Sequence, residues 1–370
     1  MNVVRTTFDF LKRQSITYEK IVVFMKLKGK RILVTGGTGS LGQTLVKRLL
    51  RETEDKPSQI TVFSRDEAKQ HYMRLGFMHR KAATDEIIYE NSQQLLSFRI
   101  GDVRDYAALL AAVRDNDIVF NAAALKQVPS CEYFPFEAVQ TNVIGAQNLV
   151  RAIRDNNLPV ETVVGISTDK ACKPINVMGL TKALQERILL EANRGCPSTK
   201  FVCVRYGNVI ASRGSIVPLF IEQVKNGGPL TITLNEMTRF LLSLERAVDT
   251  VLAAVYDGKA GETYIPQIPS AKVVDIARAL MPEDKALEMV FTGIRPGEKI
   301  HEIMVSEEER FRTIERDEYY VILPVLPELR SEDDFEEVLK AEYSSQNDNL
   351  PVSEIRTLLD NSQSEIAQFA

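Results

Sequence analysis

Short runs of β-branched and apolar residues alternate with longer stretches of helical periodicity between residues 31 and 205. This alternation is typical of βαβ units, in which a helix returns the chain to the same edge of a parallel sheet. The predicted strands are Arg31–Thr35, Ile60–Ser64, Ser97–Ile100, Asp117–Asn121, Thr162–Ser167 and Phe201–Arg205. The predicted helices are Leu41–Arg51, Tyr106–Arg114, Glu137–Asp155 and Thr181–Ala192. We therefore predict an α/β fold with a doubly wound parallel sheet.

Composition excludes several classes of function. Lys and Arg total 46 against 50 Asp and Glu, a net charge of −4, so the chain lacks the basic excess of a nucleic-acid-binding protein. Four cysteines without paired spacing and only three histidines predict no metal site. The apolar run at residues 21–25 is too short to cross a bilayer, and no membrane span is predicted. We expect a cytoplasmic protein with reduced thiols.

A glycine cluster stands where the first strand meets the first helix. At such a junction Gly36 permits a tight turn, Gly39 lets the backbone approach a pyrophosphate, and Gly42 allows close packing of helix and strand. The N–H groups at the start of the helix then face the phosphates. The predicted phosphate loop comprises Gly36, Thr38, Gly39, Ser40, Leu41 and Gly42. This context indicates a Rossmann-type dinucleotide site.

The ends of the next strands complete the predicted cofactor site. An acidic residue after the second strand would hold the ribose hydroxyls of NAD, but Ser64 and Arg65, with Lys69 nearby, suit a ribose 2′-phosphate. The other candidate cofactor residues, at the ends of the third and fourth strands, are Asp102, Val103, Ala122 and Ala123. We expect NADP as the cofactor, with NAD as the second choice.

The alternating pattern stops after residue 205, where glycine, proline and short mixed segments take over. This change is typical of a smaller lobe that covers the substrate. We predict four parts: an N-terminal extension (1–27), a dinucleotide-binding domain (28–205), a mainly substrate-binding C-terminal lobe (206–330) with a segment near 237–258 that returns to the first domain, and an acidic C-terminal tail (331–370) with a helix at Val352–Asp360.

A series of specific motifs runs in order along residues 28–325. The motifs are Phe63-Ser-Arg-Asp-Glu-Ala-Lys-Gln70, Ala122-Ala-Ala-Leu-Lys-Gln-Val-Pro129, Ser167-Thr-Asp-Lys-Ala171, Pro174-Ile-Asn176, Arg205-Tyr-Gly-Asn-Val209, Ser212-Arg-Gly-Ser215, Met237-Thr-Arg-Phe240 and Arg295-Pro-Gly-Glu-Lys299. Together they resemble the bacterial UDP-N-acetylglucosamine 4,6-dehydratases of surface-polysaccharide, flagellin and nonulosonic-acid pathways, which are extended short-chain dehydrogenases/reductases.

The resemblance implies a reaction in three parts on UDP-GlcNAc. A hydride leaves sugar C4 for the nicotinamide, water is eliminated across C5 and C6, and the hydride returns to C6. The product is a UDP-4-keto-6-deoxy sugar, so the enzyme is a hydro-lyase. The resemblance also implies that the cofactor is tightly bound and regenerated in each turnover.

The resemblance places the acid and base in Thr168-Asp169-Lys170, which follows the fifth strand. Asp169 is the implied acid for the C6 hydroxyl, and Lys170 is the implied C5 base. These roles require a pKa raised by burial for Asp169 and a pKa lowered by desolvation for Lys170.

The chain departs from the usual Tyr-x-x-x-Lys pair of short-chain dehydrogenases, because Met178 stands at the tyrosine position before Lys182. A thioether cannot exchange a proton. Either the chain is a catalytically silent dinucleotide-binding relative, or another group takes the proton of the C4 hydroxyl, with Thr168 relaying it to Asp169 or solvent. We favour the active enzyme, in which Lys182 holds the nicotinamide ribose, because some dehydratases of this group also resemble the chain in having methionine here.

The resemblance also implies a set of substrate-binding residues. Arg295 and Glu298 suit a diphosphate and a ribose, because a guanidinium offers a bidentate fork to phosphate. The implied set comprises Lys126, Asn208, Arg213, Val217, Arg239, Arg295 and Glu298.

Three questions stay open at the level of sequence. A C4 epimerase or C4 reductase acting on a UDP-sugar is the alternative enzyme, although neither reaction needs the Asp169-Lys170 pair. The configuration at C5 is open between retention and inversion, and we favour retention. We expect a homo-oligomer that associates through the helices predicted at Glu137–Asp155 and Thr181–Ala192.

Overall fold

The computed structural model describes residues 26–77, 95–210, 215–282, 287–330, 337–363 and 366–367. Their strands are β1 Arg31–Thr35, β2 Gln59–Ser64, β3 Leu96–Ile100, β4 Ile118–Asn121, β5 Thr162–Ile166, β6 Lys200–Val204, β7 Asn208–Val209, β8 Leu230–Ile232, β9 Thr238–Leu242, β10 Thr263–Pro266, β11 Ser270–Lys272, β12 Met289–Phe291, β13 Ile303–Val305, β14 Thr313–Arg316, β15 Tyr319–Ile322 and β16 Tyr343–Ser344.

The helices lie mainly between the strands of the first two hundred residues. They are α1 Ser40–Arg51, α2 Glu67–Phe77, α3 Tyr106–Val113, α4 Val128–Tyr133, α5 Pro135–Ala138, α6 Gly145–Asp155, α7 Val177–Gly195, α8 Ile216–Lys225, α9 Leu244–Tyr256, α10 Val273–Leu280 and α11 Val352–Asn361. A π-helical turn, Val139–Ile144, joins α5 to α6, and 3₁₀ turns lie at Asp169–Ala171, Arg310–Arg312 and Pro327–Leu329.

A nine-stranded sheet in the order β14-β15-β10-β6-β5-β4-β1-β2-β3 forms the centre of the fold. Strands β3 to β10 of this order pair in parallel, whereas β15 and β14 are antiparallel additions at one edge. The predicted α/β class and all six predicted strands are confirmed, within one residue at each end. The strand order reverses between β1 and β4, and ligands of such sheets bind at the carboxyl ends of the strands beside this reversal.

The parallel strands are apolar on both faces because helices cover both. Ile32 and Val34 of β1 belong to the core that includes Leu45 of α1 and Val248 of α9. Leu33 points to the opposite face, into the core formed with α3, α6 and α7. This two-sided burial explains the continuous apolar runs that predicted the strands.

The helix predicted over Glu137–Asp155 is interrupted by the π-helical turn. Within that turn Asn142 is buried, and its Nδ2 donates to the carbonyl of Leu125 at 3.0 Å and to the Thr181 hydroxyl at 3.0 Å. Its Oδ1 accepts from the Leu125 N–H at 2.8 Å. The turn thus fixes the segment after β4 to α7, a contact that helical periodicity does not reveal.

The C-terminal half contributes to both the sheet and its cover. Strands β10, β14 and β15 extend the sheet, and α9 packs beside α1, where Arg48 forms ion pairs with Glu245 and Asp249 at 2.8 and 2.6 Å. The division into a dinucleotide-binding domain and a substrate lobe stays a prediction.

The predicted N-terminal extension lies outside the described residues except for Lys26 and Leu27. No described helix is long and apolar enough to cross a membrane.

Candidate active site

The glycine loop lies directly after β1, at the reversal of strand order. Gly36 has a φ of +65°, and a Cβ there would lie 2.8 Å from the backbone of Ala123. A Cβ at Gly42 would lie 2.5 Å from the Cα of Gly37. Both positions therefore require glycine, for the turn and for the contact between helix and loop.

The N-terminus of α1 points its free N–H groups out of this loop. Gly39 is the N-cap, it has no side chain to cap the helix, and the first turn carries no acidic residue. The backbone around Ser40 and Leu41 is thus open to an anion at a positive helix end. Thr38 is held beside the loop by a 2.9 Å hydrogen bond to the Ser64 hydroxyl. The loop fits a pyrophosphate.

Two cationic side chains follow β2 at the same edge of the sheet. Arg65 is half-exposed, and its Nη1 lies 3.5 Å from an oxygen of Asp102. Lys69 is equally exposed and pairs with Asp66 at 2.7 Å. Val103 is buried beneath Gly145, so it supports this side of the site by packing. The structure thus brings together the residues predicted to hold the adenosine end of a cofactor.

The turn after β5 carries the predicted acid and base. Thr168 caps this turn, and its hydroxyl donates to Oδ1 of Asp169 at 2.8 Å. Nζ of Lys170 lies 3.0 Å from the same oxygen and 3.0 Å from Oε1 of Glu302. We call Thr168, Asp169, Lys170 and Glu302 the proton cluster. The first three residues were predicted from the sequence, and the structure adds Glu302.

Burial orders the proton cluster from the outside inward. Asp169 and Glu302 are buried, Thr168 is half-buried, and the Lys170 side chain is 21% exposed. The accessible side of the proton cluster therefore consists of Lys170 and Thr168. Burial raises the pKa of Asp169, and the neighbouring charge of Glu302 adds to this effect against that of Lys170. The expected direction of the Asp169 shift, a pKa raised by burial, is confirmed.

The expectation for Lys170 is wrong. Desolvation lowers its pKa, but the negative charges of Asp169 and Glu302 outweigh desolvation, and the net pKa is raised. Lys170 is therefore an ammonium at rest. The local sequence suggested only the desolvation, because the second carboxylate comes from a distant part of the chain.

Glu302 is the residue of the proton cluster that the sequence did not predict. It precedes β13, three residues beyond Arg295-Pro-Gly-Glu-Lys299, and a lone acidic residue before a buried apolar strand is the only local signal. Nε of Arg239 lies 4.0 Å from its Oε1. The Arg239 guanidinium also donates to the carbonyls of Thr238 and Ile300, so this predicted substrate residue lies behind the proton cluster.

Met178 and Lys182 occupy different surroundings. Met178 is buried against Cys131 and Ala138, between α7 and the helices α4 and α5. Lys182 is buried, and its Nζ donates to the carbonyl of Ile166 and, at 2.7 Å, to Gln185. Burial lowers the pKa of Lys182 to about 8. The methionine therefore packs the helix interface, and the lysine lies at the end of β5.

A second cluster of buried charges supports the site and was not predicted. Arg205, directly after β6, pairs with Glu186 of α7 at 2.7 Å and with Glu309 at 2.8 Å. Its Nη1 also donates to the carbonyl of Met304 at 2.7 Å. Glu186 in turn accepts a hydrogen bond from Ser167. Burial of these charges is compensated by their mutual pairing.

The Arg-Pro-Gly-Glu-Lys segment, which carries two of the other predicted substrate residues, lies near the turn after β5. Asn176 at the start of α7 donates to the carbonyl of Gly297 at 2.7 Å. Lys299 donates to the carbonyl of Cys172, so the middle and the end of the segment are bonded close to that turn. Arg295 is 57% exposed, 3.9 Å from Glu298. Oδ1 of Asn208 and Oε2 of Glu298 are buried and accept no hydrogen bond from the described residues.

The three remaining predicted substrate residues are Lys126, Val217 and Arg213. Lys126 is exposed, and Val217 is buried in α8. Arg213 lies outside the described residues.

Comparison with known proteins places the chain in a family. Its relatives include a UDP-N-acetylglucosamine 4,6-dehydratase (inverting) of Campylobacter jejuni, 41% identical over 87% of this chain and 94% of that protein. A UDP-glucose 4-epimerase of Rickettsia massiliae is 44% identical over 79% of this chain and 82% of that protein. The solved structure of Pen from Bacillus thuringiensis is 31% identical, with a TM-score of 0.80 over 92% of this chain and 99% of that one. The polysaccharide biosynthesis protein family matches residues 32–324, and the chain belongs to this family.

Proposed function

We propose that this protein is a UDP-N-acetylglucosamine 4,6-dehydratase that makes a UDP-4-keto-6-deoxy sugar for bacterial surface-glycan or nonulosonic-acid synthesis. The observation that carries the proposal is the pairing of Asp169 with Lys170 at 3.0 Å, at the carboxyl edge of the sheet that also carries the glycine loop. An elimination needs both an acid and a base, and these two groups supply them. The name of the Campylobacter relatives supports the same reaction.

A nicotinamide dinucleotide fits the site. The open helix end at Gly39 and the tight contact of Gly36 with Ala123 suit its pyrophosphate, and Lys182 at the end of β5 would hold the nicotinamide ribose. When bound, the cofactor accepts a hydride from sugar C4 and returns it to C6. Because oxidation and reduction would occur on the same sugar, no external oxidant or reductant would be consumed.

Lys170 becomes a base by an internal proton transfer. Its ammonium donates to Oδ1 of Asp169 across 3.0 Å, and transfer of that proton gives a neutral amine and a carboxylic acid together. The amine then removes the proton from C5 of the 4-keto sugar, which is acidic because it lies next to the ketone. The pair thus reaches its working state without proton uptake from solvent.

Thr168 connects Asp169 to the cleft. Asp169 is fully buried, whereas Thr168 is half-buried and already bonded to Oδ1 at 2.8 Å. We propose that the proton of the C4 hydroxyl passes through the Thr168 hydroxyl to solvent before Lys170 transfers its proton to Asp169. Asp169 then protonates the departing C6 hydroxyl through Thr168. This route replaces the phenol that Met178 cannot provide.

The UDP group would bind between α7 and the Arg-Pro-Gly-Glu-Lys segment. The exposed guanidinium of Arg295 suits the diphosphate, and the unpartnered oxygens of Asn208 and Glu298 suit sugar or ribose hydroxyls. The remaining substrate residues that we propose, on the resemblance of their motifs, are Lys126, Arg213, Val217 and Arg239.

The comparisons bear on the configuration at C5. The sequence led us to favour retention, but the two Campylobacter relatives are named as inverting enzymes. We therefore propose inversion, which requires that C5 receive its new proton on the opposite face from the one that Lys170 deprotonates.

The alternative function is a C4 epimerase, because several relatives from Rickettsia are named UDP-glucose 4-epimerase. Epimerisation needs no proton removal from C5 and no acid at C6. An epimerase would therefore not use the acid and base of the proton cluster, whereas a dehydratase uses both. The presence of the cluster favours the dehydratase.

We predict that the protein, incubated with UDP-GlcNAc in deuterium oxide, forms a product with a C6 methyl group and deuterium at C5, observed by NMR. The Lys170→Met variant should form this product about 10²–10⁴-fold more slowly, because it lacks the C5 base. Lys173→Met, which removes a neighbouring surface lysine paired with Glu342, is the matched control and should keep the wild-type rate.

Different outcomes separate the alternatives. A C4-epimerised sugar that retains its C6 hydroxyl supports the epimerase. An unchanged sugar in the presence of bound cofactor supports the catalytically silent relative, and either result contradicts the dehydratase.

We propose NADP rather than NAD as the resident cofactor. Arg65 and Lys69 are half-exposed cations after β2, where the adenosine ribose of such a cofactor lies. A ribose 2′-phosphate would find two positive charges there, whereas the 2′-hydroxyl of NAD has no need of them.

Cofactor released by denaturing the purified protein should therefore be NADP, identified by chromatography. Arg65→Ala should lower the affinity for NADP relative to NAD about tenfold to a hundredfold, because a hydrogen bond to a charged group contributes about 1.5–3 kcal/mol. Arg51→Ala, at the far end of α1, is the control and should change neither affinity. Wild-type protein that carries NAD would contradict the proposal.

We propose that the protein is a homo-oligomer. Tyr133, Phe134 and Phe136 of the α4–α5 region and Leu180 and Leu184 of α7 are exposed, and Phe134 and Leu184 are 64% and 52% accessible. Because α4 and α5 pack against α7 through Met178, these side chains belong to neighbouring helices. We call them the apolar surface. A patch of exposed aromatic and leucine side chains is typical of a subunit interface.

Light scattering after gel filtration should therefore give the mass of an oligomer. Leu184→Glu, which adds a charge to the apolar surface, should shift the protein toward the monomer. Leu219→Glu on α8 adds the same charge elsewhere and should not. A wild-type monomer at the concentrations used for assay would be the contrary result.

We also propose the cytoplasm as the site of action. Cys131, Cys172, Cys196 and Cys203 are buried free thiols, which suits a reducing compartment. Cell fractionation with an antibody against the protein tests this location.

A further inference from the structure

Glu302 is the member of the proton cluster that comes from a distant part of the chain, and it is buried beside Lys170. Its side chain is 2% exposed, and its Oε1 lies 3.0 Å from Nζ of Lys170. Its second oxygen is buried and accepts no hydrogen bond from the described residues. A carboxylate buried in this way is costly unless a cation compensates it, so its contact with Lys170 is a strong constraint on both groups.

The backbone of Glu302 is held in place from the C-terminal part of the chain. Its N–H donates to the Ser345 hydroxyl at 2.9 Å, and its carbonyl accepts from the N–H of Ser345 at 2.8 Å. On the other side, the catalytic turn is fixed by the N–H of Asp169, which donates to the carbonyl of Tyr206 at 3.0 Å. The two ends of the Lys170–Glu302 contact are thus set by separate elements of the fold.

Charged groups from every neighbouring element act on Lys170. Asp169 lies on its own turn, Glu302 precedes β13, and Arg239 belongs to β9. Lys299 acts on Glu302 and Asp169 from the Arg-Pro-Gly-Glu-Lys segment. The pKa of Glu302 is lowered, since Lys170, Arg239 and Lys299 together outweigh the effect of burial. Glu302 is therefore the ionised carboxylate, and Asp169 is the one that takes up a proton.

We propose that Glu302 is a positioning residue for the dehydratase reaction: its fixed carboxylate holds Nζ of Lys170 against Asp169 and confines the transferable proton to that pair. This inference rests on the proposed function. During the transfer the proton leaves Nζ of Lys170 and binds Oδ1 of Asp169, while Glu302 keeps its charge throughout. Glu302 is assigned no contact with the sugar, because its side chain is buried and Lys170 is the more exposed partner of the pair.

The charge of Glu302 sets the pH at which the pair works. The active pair holds one proton between Lys170 and Asp169, and the inactive pair at lower pH holds two. A negative neighbour opposes the loss of that extra proton and thus raises the pH at which activity appears. Removing the charge must shift the pH profile downward, by about 1–3 units for a charge at this distance.

The test is the pH profile of product formation from UDP-GlcNAc by the intact protein. Glu302→Gln keeps the shape of the side chain and removes the charge, so the profile should move about 1–3 units lower. Its kcat at the new optimum should fall about tenfold, since Lys170 loses its anchor. KM should stay unchanged. Glu302→Asp keeps the charge but withdraws it from Lys170, so its profile should move less while its kcat falls.

The control is Glu307→Gln, which neutralises an exposed glutamate that pairs with Lys173 at 3.6 Å and should leave the profile unchanged. A wild-type protein that converts the sugar, together with Glu302 variants that keep the wild-type profile and kcat, overturns this inference alone. A wild-type protein without dehydratase activity overturns the proposed function and this inference with it. If Glu302→Gln does not fold, Glu302→Asp with wild-type kcat and profile still overturns the inference.

Discussion

The buried guanidinium of Arg205 is the contact on which the geometry of the site depends. It joins β6 to Glu186 of α7 and to Glu309 of the C-terminal part, and it also binds the carbonyl of Met304 in β13. Two carboxylates of this kind are stable in the interior only while the cation is present. The same pairing brings β13, and with it Glu302, to the end of β5.

The proton cluster explains how a site without the usual tyrosine can perform acid–base chemistry. Met178 packs in an apolar contact between α4 and α7. It stands where other short-chain dehydrogenases have a tyrosine phenol. The ionisable groups instead lie in one turn, where Lys170 and Asp169 share a proton and Thr168 connects them to the cleft. Lys170 lies between two carboxylates, and their charges, rather than desolvation, decide the direction of its pKa shift.

The elements that the sequence predicted well are those controlled by local pattern. Strands β1 to β6 followed from apolar runs, and the glycine loop followed from the steric demands at Gly36 and Gly42. The catalytic turn was placed because the carboxyl ends of parallel strands lie at one edge. What the sequence did not reveal depends on contacts between distant segments. Glu302 reaches Lys170 only through the fold, and the sign of the Lys170 pKa shift follows from that contact.

The central claim is that one protein carries out the oxidation, the elimination and the reduction on the same sugar, with its own cofactor as the hydride store. UDP-GlcNAc labelled with deuterium at C4 tests this most directly, with the methyl group of the product observed by NMR and mass spectrometry. We predict that the label appears at C6 as a CH₂D group, without added cofactor. A product whose methyl group lacks the label, or a label that remains at C4, would contradict the account.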